Sequence, residues 1–205
     1  MLVTRSRFVR AVAAMVGGAL LLPGAALPAS ASITTTTVSG TLLLLDVACP
    51  STTTCEAVGT NSSGQGVGVP IASGTPGTAQ VVSGTVGLYG VACPSTTTCE
   101  AVGYNSSGQG VVVPITSGTP GTAQPVSGTV KLSGIACPTA ATCEAVGSNS
   151  SGQGVVVPIA SGTPGTAQAV SGTTVLYGVA CRSTTTCEAV GSNSSGQGVV
   201  VPIAS

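Results

Sequence analysis

Leu88-Tyr-Gly-Val-Ala-Cys-Pro-Ser-Thr-Thr-Thr-Cys-Glu-Ala-Val-Gly103 decides the reading of this chain, because it returns with few changes at 44–59, 132–147 and 176–191. The cysteines fall within it as Cys49/Cys55, Cys93/Cys99, Cys137/Cys143 and Cys181/Cys187, always as C-x5-C. Glu56, Glu100, Glu144 and Glu188 each follow the second cysteine. The tracts N-S-S-G-Q-G and V-P-I keep the same 44-residue period, and residues 90–133 match 134–177 at 34 of 44 positions. Self-similarity at this period points to a propeller or solenoid built from one repeated unit.

Within a unit, short β-rich runs alternate with turn signals. In the third, Val130 to Cys137 is one run and Pro138-Thr-Ala-Ala-Thr a turn. Cys143 to Gly147 is a second run, ended by Asn149-Ser-Ser-Gly-Gln-Gly. Gly154 to Ile159 is a third run, Ser161-Gly-Thr-Pro-Gly another turn, and Ala167 to Thr173 a weaker fourth strand. Turn residues at such intervals mark many short antiparallel strands. The third run is apolar continuously rather than on alternate residues, which implies burial on both faces. Four strands in about 40–45 residues is the size of one propeller blade. The expected fold is all-β, a β-propeller-like array of four four-stranded repeats.

The ends carry a further expectation. Val38-Ser-Gly-Thr41 in the opening tract (33–45) repeats as Val126-Ser-Gly-Thr129, in the fourth-strand region of a unit. The repeats run over 46–89, 90–133, 134–177 and, in part, 178–205, where the last stops after its third strand. The opening tract is therefore a candidate closing strand for a ring of four, which would remove exposed sheet edges. A piece of a longer repeat array is the alternative.

Composition narrows the chemistry. Of 205 residues only 5% are charged and 2% aromatic, against roughly 25% charged in an ordinary domain. No histidine is present, so an imidazole-based catalytic unit and a histidine-held metal are both excluded. Arg5, Arg7 and Arg10, an apolar run over 11–22, and Ala29-Ser-Ala31 form the three parts of a secretory leader, with cleavage expected after residue 31. The apolar run falls short of the ~20 residues that span a bilayer. The repeat domain over 32–205 keeps Lys131 and Arg182 against five carboxylates, a net charge of −3. Two cations cannot make a nucleic-acid or polybasic membrane surface.

In an exported protein, cysteine pairs at constant spacing read as disulfides. C-x5-C has neither the spacing of zinc pairs nor that of a C-x-x-C redox centre.

The tract at 88–103 also resembles the repeat of secreted bacterial proteins whose units run L-x-G-V-x-C-P-x4-C-x-A-V-G. Those look like β-propellers related to the sialidase-repeat and kelch types, and the resemblance spans about residues 33–205. It implies a propeller fold and no particular activity. Two departures stand out: no tryptophan is present, and Arg182 replaces the proline of positions 50, 94 and 138.

Candidate sites are few. In a ring, Glu56, Glu100, Glu144 and Glu188 would form a symmetric acidic set. A channel-facing set would suit calcium, but their place beside a turn favours solvent exposure. Asp46, the only aspartate, falls diagonal to Glu56 if Cys49 sits opposite Cys55. That would space the two carboxylates about 7–8 Å apart, within the range of an inverting glycosidase. Sugar-binding aromatics and arginines are nearly absent, so no catalytic residue is assigned. Asn61, Asn105, Asn149 and Asn193 open Asn-Ser-Ser sequons and read as turn formers. The threonine runs over 34–37 and 52–54 recur too sparsely for an ice-binding face. No cofactor or metal is expected. The expected role is a non-catalytic binding or structural module outside the cell or at its surface. Its partners would be an unknown extracellular ligand or protein, with self-association open and no membrane span once the leader is cleaved. The alternatives are a glycoside hydrolase or lyase on a propeller scaffold, or a fragment of an adhesive array.

Overall fold

A computed structural model describes residues 33–204, and the expected leader lies outside them. Among the described residues every regular element is a strand. The first sheet holds β1 (Leu43–Ala48), β2 (Thr54–Thr60), β3 (Gly66–Ala72), β4 (Thr75–Pro76) and β5 (Gln80–Val81). The second holds β6 (Thr85–Ala92), β7 (Thr98–Asn105), β8 (Gly110–Thr116), β9 (Thr119–Pro120) and β10 (Gln124–Pro125). The third holds β11 (Lys131–Thr139), β12 (Thr142–Ser148), β13 (Gly154–Ala160), β14 (Thr163–Pro164) and β15 (Gln168–Val170). The fourth has only β16 (Val175–Ser183), β17 (Thr186–Ser192) and β18 (Gly198–Ala204). All pairings are antiparallel and the three long strands of each sheet pair with their sequence neighbours, so each sheet is a meander.

The outer strand of each complete sheet is split, and proline explains the split. Pro70 accepts a hydrogen bond from Gly77 N–H on the outer side of β3. Its own N–H, which would point the same way, does not exist. The outer chain therefore pairs with β3 on either side of Pro70, as β4 and as β5, and leaves the ladder between. Pro114 and Pro158 repeat the arrangement with Gly121 and Gly165.

Two turns recur. Asn61 Oδ1 accepts from Ser63 and Gln65 N–H at 3.0 and 2.9 Å, and Gly64 takes φ 72°. Asn105, Asn149 and Asn193 do the same. The asparagines thus shape the hairpin through their side chains, while the left-handed backbone falls to glycine. The second turn is Ser73-Gly74, both at positive φ as a type I′ hairpin requires, and Ser117-Gly118 and Ser161-Gly162 match it. Each C-x5-C pair is bridged within its own first hairpin: Cys49–Cys55, Cys93–Cys99, Cys137–Cys143 and Cys181–Cys187.

The core lies between sheets. Val58 and Val82 from the first unit pack with Leu88, Val91, Ala101, Val111, Val113 and Ile115 of the second. Val102, Val112 and Val126 meet Leu132, Ala145 and Val157 in the next junction, and Val146 and Val156 meet Leu176 and Ala189 in the last. The first strands β1, β6, β11 and β16 pack on one another in turn. Glycine permits their approach: a Cβ at Gly134 would stand 2.7 Å from the Tyr177 carbonyl and 3.1 Å from Gly178 Cα. This is a β-propeller-like array of four repeats.

The opening tract does not complete the fourth sheet. Residues 33–38 are irregular, Leu42 N–H bonds Thr60 O, and Gly40 lies against Ala79, so the tract stays on its own first unit. The later hinges make the equivalent contacts and also pair back on the preceding sheet, Val82 N–H to Gly66 O and Val126 N–H to Gly110 O, whereas Gly198 of the fourth sheet has nothing within 4 Å of its Cβ position. Sheet boundaries also fall outside the counted repeats, since β6 runs across the division at 89/90.

Three outcomes follow for stability. Gly134→Ala should cost about 1–3 kcal/mol by forcing the third and fourth sheets apart. Gly178→Ala, whose Cβ meets only Val190 at 3.7 Å, should stay within about 0.5 kcal/mol of the parent in urea unfolding. Replacing Cys137 and Cys143 together by alanine should cost about 2 kcal/mol, from the loop closure its bridge supplies.

Candidate functional site

Charge is scarce in this chain, so the position of each carboxylate matters. Glu56 stands on β2 between Ala48 of β1 and Pro70 of β3. It is 3% exposed, and its Oε1 has no hydrogen-bond partner. Its carboxylate reaches the neighbouring sheet, where Oε2 lies 3.8 Å from where Gly118 would carry a Cβ. Glu100 repeats this against Gly162, whose Cβ would come within 2.9 Å of Oε1. Glu144 is likewise buried, with an unpartnered Oε2. Each glutamate of the first two units is thus roofed by the Ser-Gly hairpin of the next. Gln80 and Gln124 tie that roof down, donating from Nε2 to the Gly118 and Gly162 carbonyls at 2.6 and 2.8 Å.

These positions correct the expectation of solvent-facing glutamates. Each does sit beside a turn that is itself exposed, at Thr52 and Thr53 or Thr96 and Thr97, but the hairpin of the next sheet covers the Glu56 and Glu100 carboxylates. Nor do the four gather round a channel. Glu56, Glu100 and Glu144 occupy separate junctions, while Glu188 is half-buried in the last sheet. No group of three or more acidic or cysteine side chains among the described residues is placed to hold a metal ion. Burial raises the Glu56 carboxyl to about 7, a rise partly offset by a hydrogen bond from the Val69 backbone. Burial alone raises Glu100 to about 7, and it raises Glu144 as well. Near neutral pH Glu56 and Glu100 hold protons to an extent that an exposed glutamate would not.

Asp46 lies where the other units carry Gly90, Gly134 and Gly178. Its two carboxylate oxygens are engaged, Oδ1 by Val47 N–H and Oδ2 by Val91 N–H of the second sheet, both at 2.9 Å. The register does set Ala48 opposite Glu56 and Asp46 opposite Val58, so the diagonal relation holds. The two carboxylates nevertheless line different clefts. Glu56 shares one of about 330 Å³ with Pro50, Thr97 and Gly118. Asp46 borders another of about 330 Å³ with Leu44, Val47, Ala57 and Ile71. A bond held between them would need one shared cleft.

One cluster escaped the sequence reading. Tyr89 on β6 and Tyr104 on β7 stack with ring centroids 5.8 Å apart, and Lys131 Nζ of β11 sits 3.7 Å over the Tyr89 ring. Burial, then the hydrogen bond to Tyr104 and its charge, raise the Tyr89 hydroxyl. The signal was available: both tyrosines belong to one unit and replace smaller or aliphatic residues at most equivalent positions. The cation–π contact joins the second and third sheets and places one of the few cations of the repeat domain over an aromatic face.

Neither a protein-family model nor a curated protein sequence matches the chain. Among solved structures it is similar to the PQQ-bound form of aldose sugar dehydrogenase from Streptomyces coelicolor, at 12% identity, with 82% of each chain covered and a TM-score of 0.42. The fold assignment above rests on the chain's own strand order, register and packing.

The buried carboxyls give stability a pH dependence of definite sign. Their folded values lie above the unfolded 4.5, so the folded state binds more protons between about 4.5 and 7. Stability should be greatest at the acid side of that window and fall as pH rises through it. Glu100→Gln should flatten the slope and melt a few degrees higher than the parent at pH 8, as scanning calorimetry would show.

Proposed function

We propose that this chain is an exported, non-catalytic structural or binding module that works outside the cell or at its surface. The observation that carries this reading is where its scarce polar groups go. Asp46, Gln80, Gln124, Thr85, Thr129 and Thr173 all bond across or beside sheet junctions. Glu56, Glu100 and Glu144 are covered by those junctions. The chain's polar chemistry is committed to holding sheets together rather than to a cleft where a substrate could react.

Export is supported by the leader pattern over 1–31 and by the four disulfides, a type of bond that persists in oxidising compartments. No helix among the described residues is long and apolar enough to cross a membrane. The hydrolase alternative loses its one sequence-derived argument, because the carboxylate pair it needs is divided between two clefts.

Cell fractionation with thiol labelling tests the reading. The protein should be recovered from the medium or surface fraction with all its cysteines oxidised. Recovery from the cytoplasm with free thiols would overturn the proposal. Against a panel of glycosides the protein should be inactive. An activity abolished by Asp46→Asn with Glu56→Gln would show a catalyst instead. Asp46→Asn alone should cost about 1–3 kcal/mol in stability, since the Val91 N–H contact loses its charged acceptor.

A further inference from the structure

The three internal junctions repeat one plug and one socket. The plug is the Val-Ser-Gly-Thr hinge that enters each new sheet. The socket is the first glycine of the third strand in the preceding sheet. Thr85 Oγ1 accepts from Gly66 N–H at 3.2 Å and donates to Val82 O at 2.8 Å. Thr129 holds Gly110 at 3.1 Å and Thr173 holds Gly154 at 3.1 Å in the same way. Leu88, Leu132 and Leu176 cover the same three glycines and are fully buried. Any Cβ in these sockets would collide with the threonine hydroxyl, so the socket demands glycine.

The chain carries one more of each, and they do not meet. Thr41 donates to Val38 O at 2.8 Å, and Gly40 takes φ 82°, beside 81°, 80° and 78° for Gly84, Gly128 and Gly172. The fourth plug is therefore already folded. The fourth socket, Gly198, has nothing within 4 Å of its Cβ position. Around it, Val190 and Val200 are 50% and 69% exposed, where Val146 and Val156 of the previous unit are 0% and 7%. On the plug side Leu44 is 40% exposed, where its three counterparts are at 0%.

We propose that plug and socket join between molecules, so that copies of this chain associate head to tail. The open face of β16–β18 in one copy receives Val38–Val47 of a second. Thr41 Oγ1 takes the Gly198 N–H, and Leu44 covers that glycine. Val58 packs against Val91, Ala101 and Ile115 inside the chain. By the same placement Val190 enters the cleft of about 330 Å³ between Leu44, Val47, Ala57 and Ile71 of the second copy. Within one molecule plug and socket stay apart, since nothing lies within 4 Å of the Gly198 Cβ position while Val190 and Val200 stay exposed. The contact is heterologous: each copy keeps one free plug and one free socket, so association propagates unless the rotation closes a ring. This deepens the structural reading above and rests on it.

Sedimentation velocity and light scattering on the full chain, purified from the medium or periplasm of an exporting host, provide the test. The wild type should gain mass with concentration in steps of one chain. Gly198→Ala meets no atom in the single chain, so its melting temperature and circular dichroism should match the parent. Its association should nevertheless weaken at least about tenfold, roughly 1.4 kcal/mol. Thr41→Val, changed on the opposite side of the joint, should weaken association in the same direction. A wild type that stays monomeric at every concentration would overturn the proposal. So would association left untouched by Gly198→Ala. The structural reading fails on a different result, cytoplasmic recovery with free thiols, so the two failures are distinguishable.

Discussion

Close approach between neighbouring sheets is the constraint on which the rest of this molecule depends. With almost no large side chains to bury, apolar area must come from bringing backbones near one another. Valine faces and glycine contact points achieve this, from Gly134 on Gly178 to the sockets at Gly66, Gly110 and Gly154. A sheet cannot be covered this way by its own strands. Each unit therefore depends on the next, as repeat architectures do.

The same closeness explains the odd placement of charge. A carboxylate beside a hairpin is ordinarily a solvated group, but here the following unit folds its Ser-Gly hairpin over it. Burying an acid without a partner is costly when it is ionised, and the chain offsets that by keeping the acid protonated near neutrality. Asp46 shows the other solution. Placed where its counterparts are glycine, it stays at the junction by accepting two backbone N–H groups.

The strand pattern, the turns and the intra-hairpin bridges were legible in the sequence because each depends on residues near in the chain. Asn149 with Gly152, and Cys137 with Cys143, announce their geometry locally. Burial of the third run was legible in β8 and β13, since a continuous Gly-Val-Val-Val-Pro-Ile leaves no polar face, but β18 with the same residues alternates exposed and half-buried. The fate of Glu56 was not. Its environment is set by Gly118, in the hairpin of the next sheet, and a local pattern carries no record of what a distant hairpin will cover. The opening tract was misplaced for a related reason. Val38-Ser-Gly-Thr41 matches hinges that bond both flanking sheets, and a match in sequence does not bring the fourth sheet within its reach. Tyr89 and Tyr104 break the repeat, standing where Leu45 and Ser133 or Thr60, Ser148 and Ser192 stand in other units, and a periodic pattern carries no record of what departs from it.

The short reach of the bridges has a consequence for how the chain is made. Eight cysteines allow 105 pairings, and four nearly identical hairpins offer little chemical difference by which to choose among them. Each correct partner is only six residues away, so the loop that brings the two thiols together is far shorter than any loop that joins two units. Correct connectivity is thereby a local matter, settled inside each hairpin by loop length rather than by recognition between units.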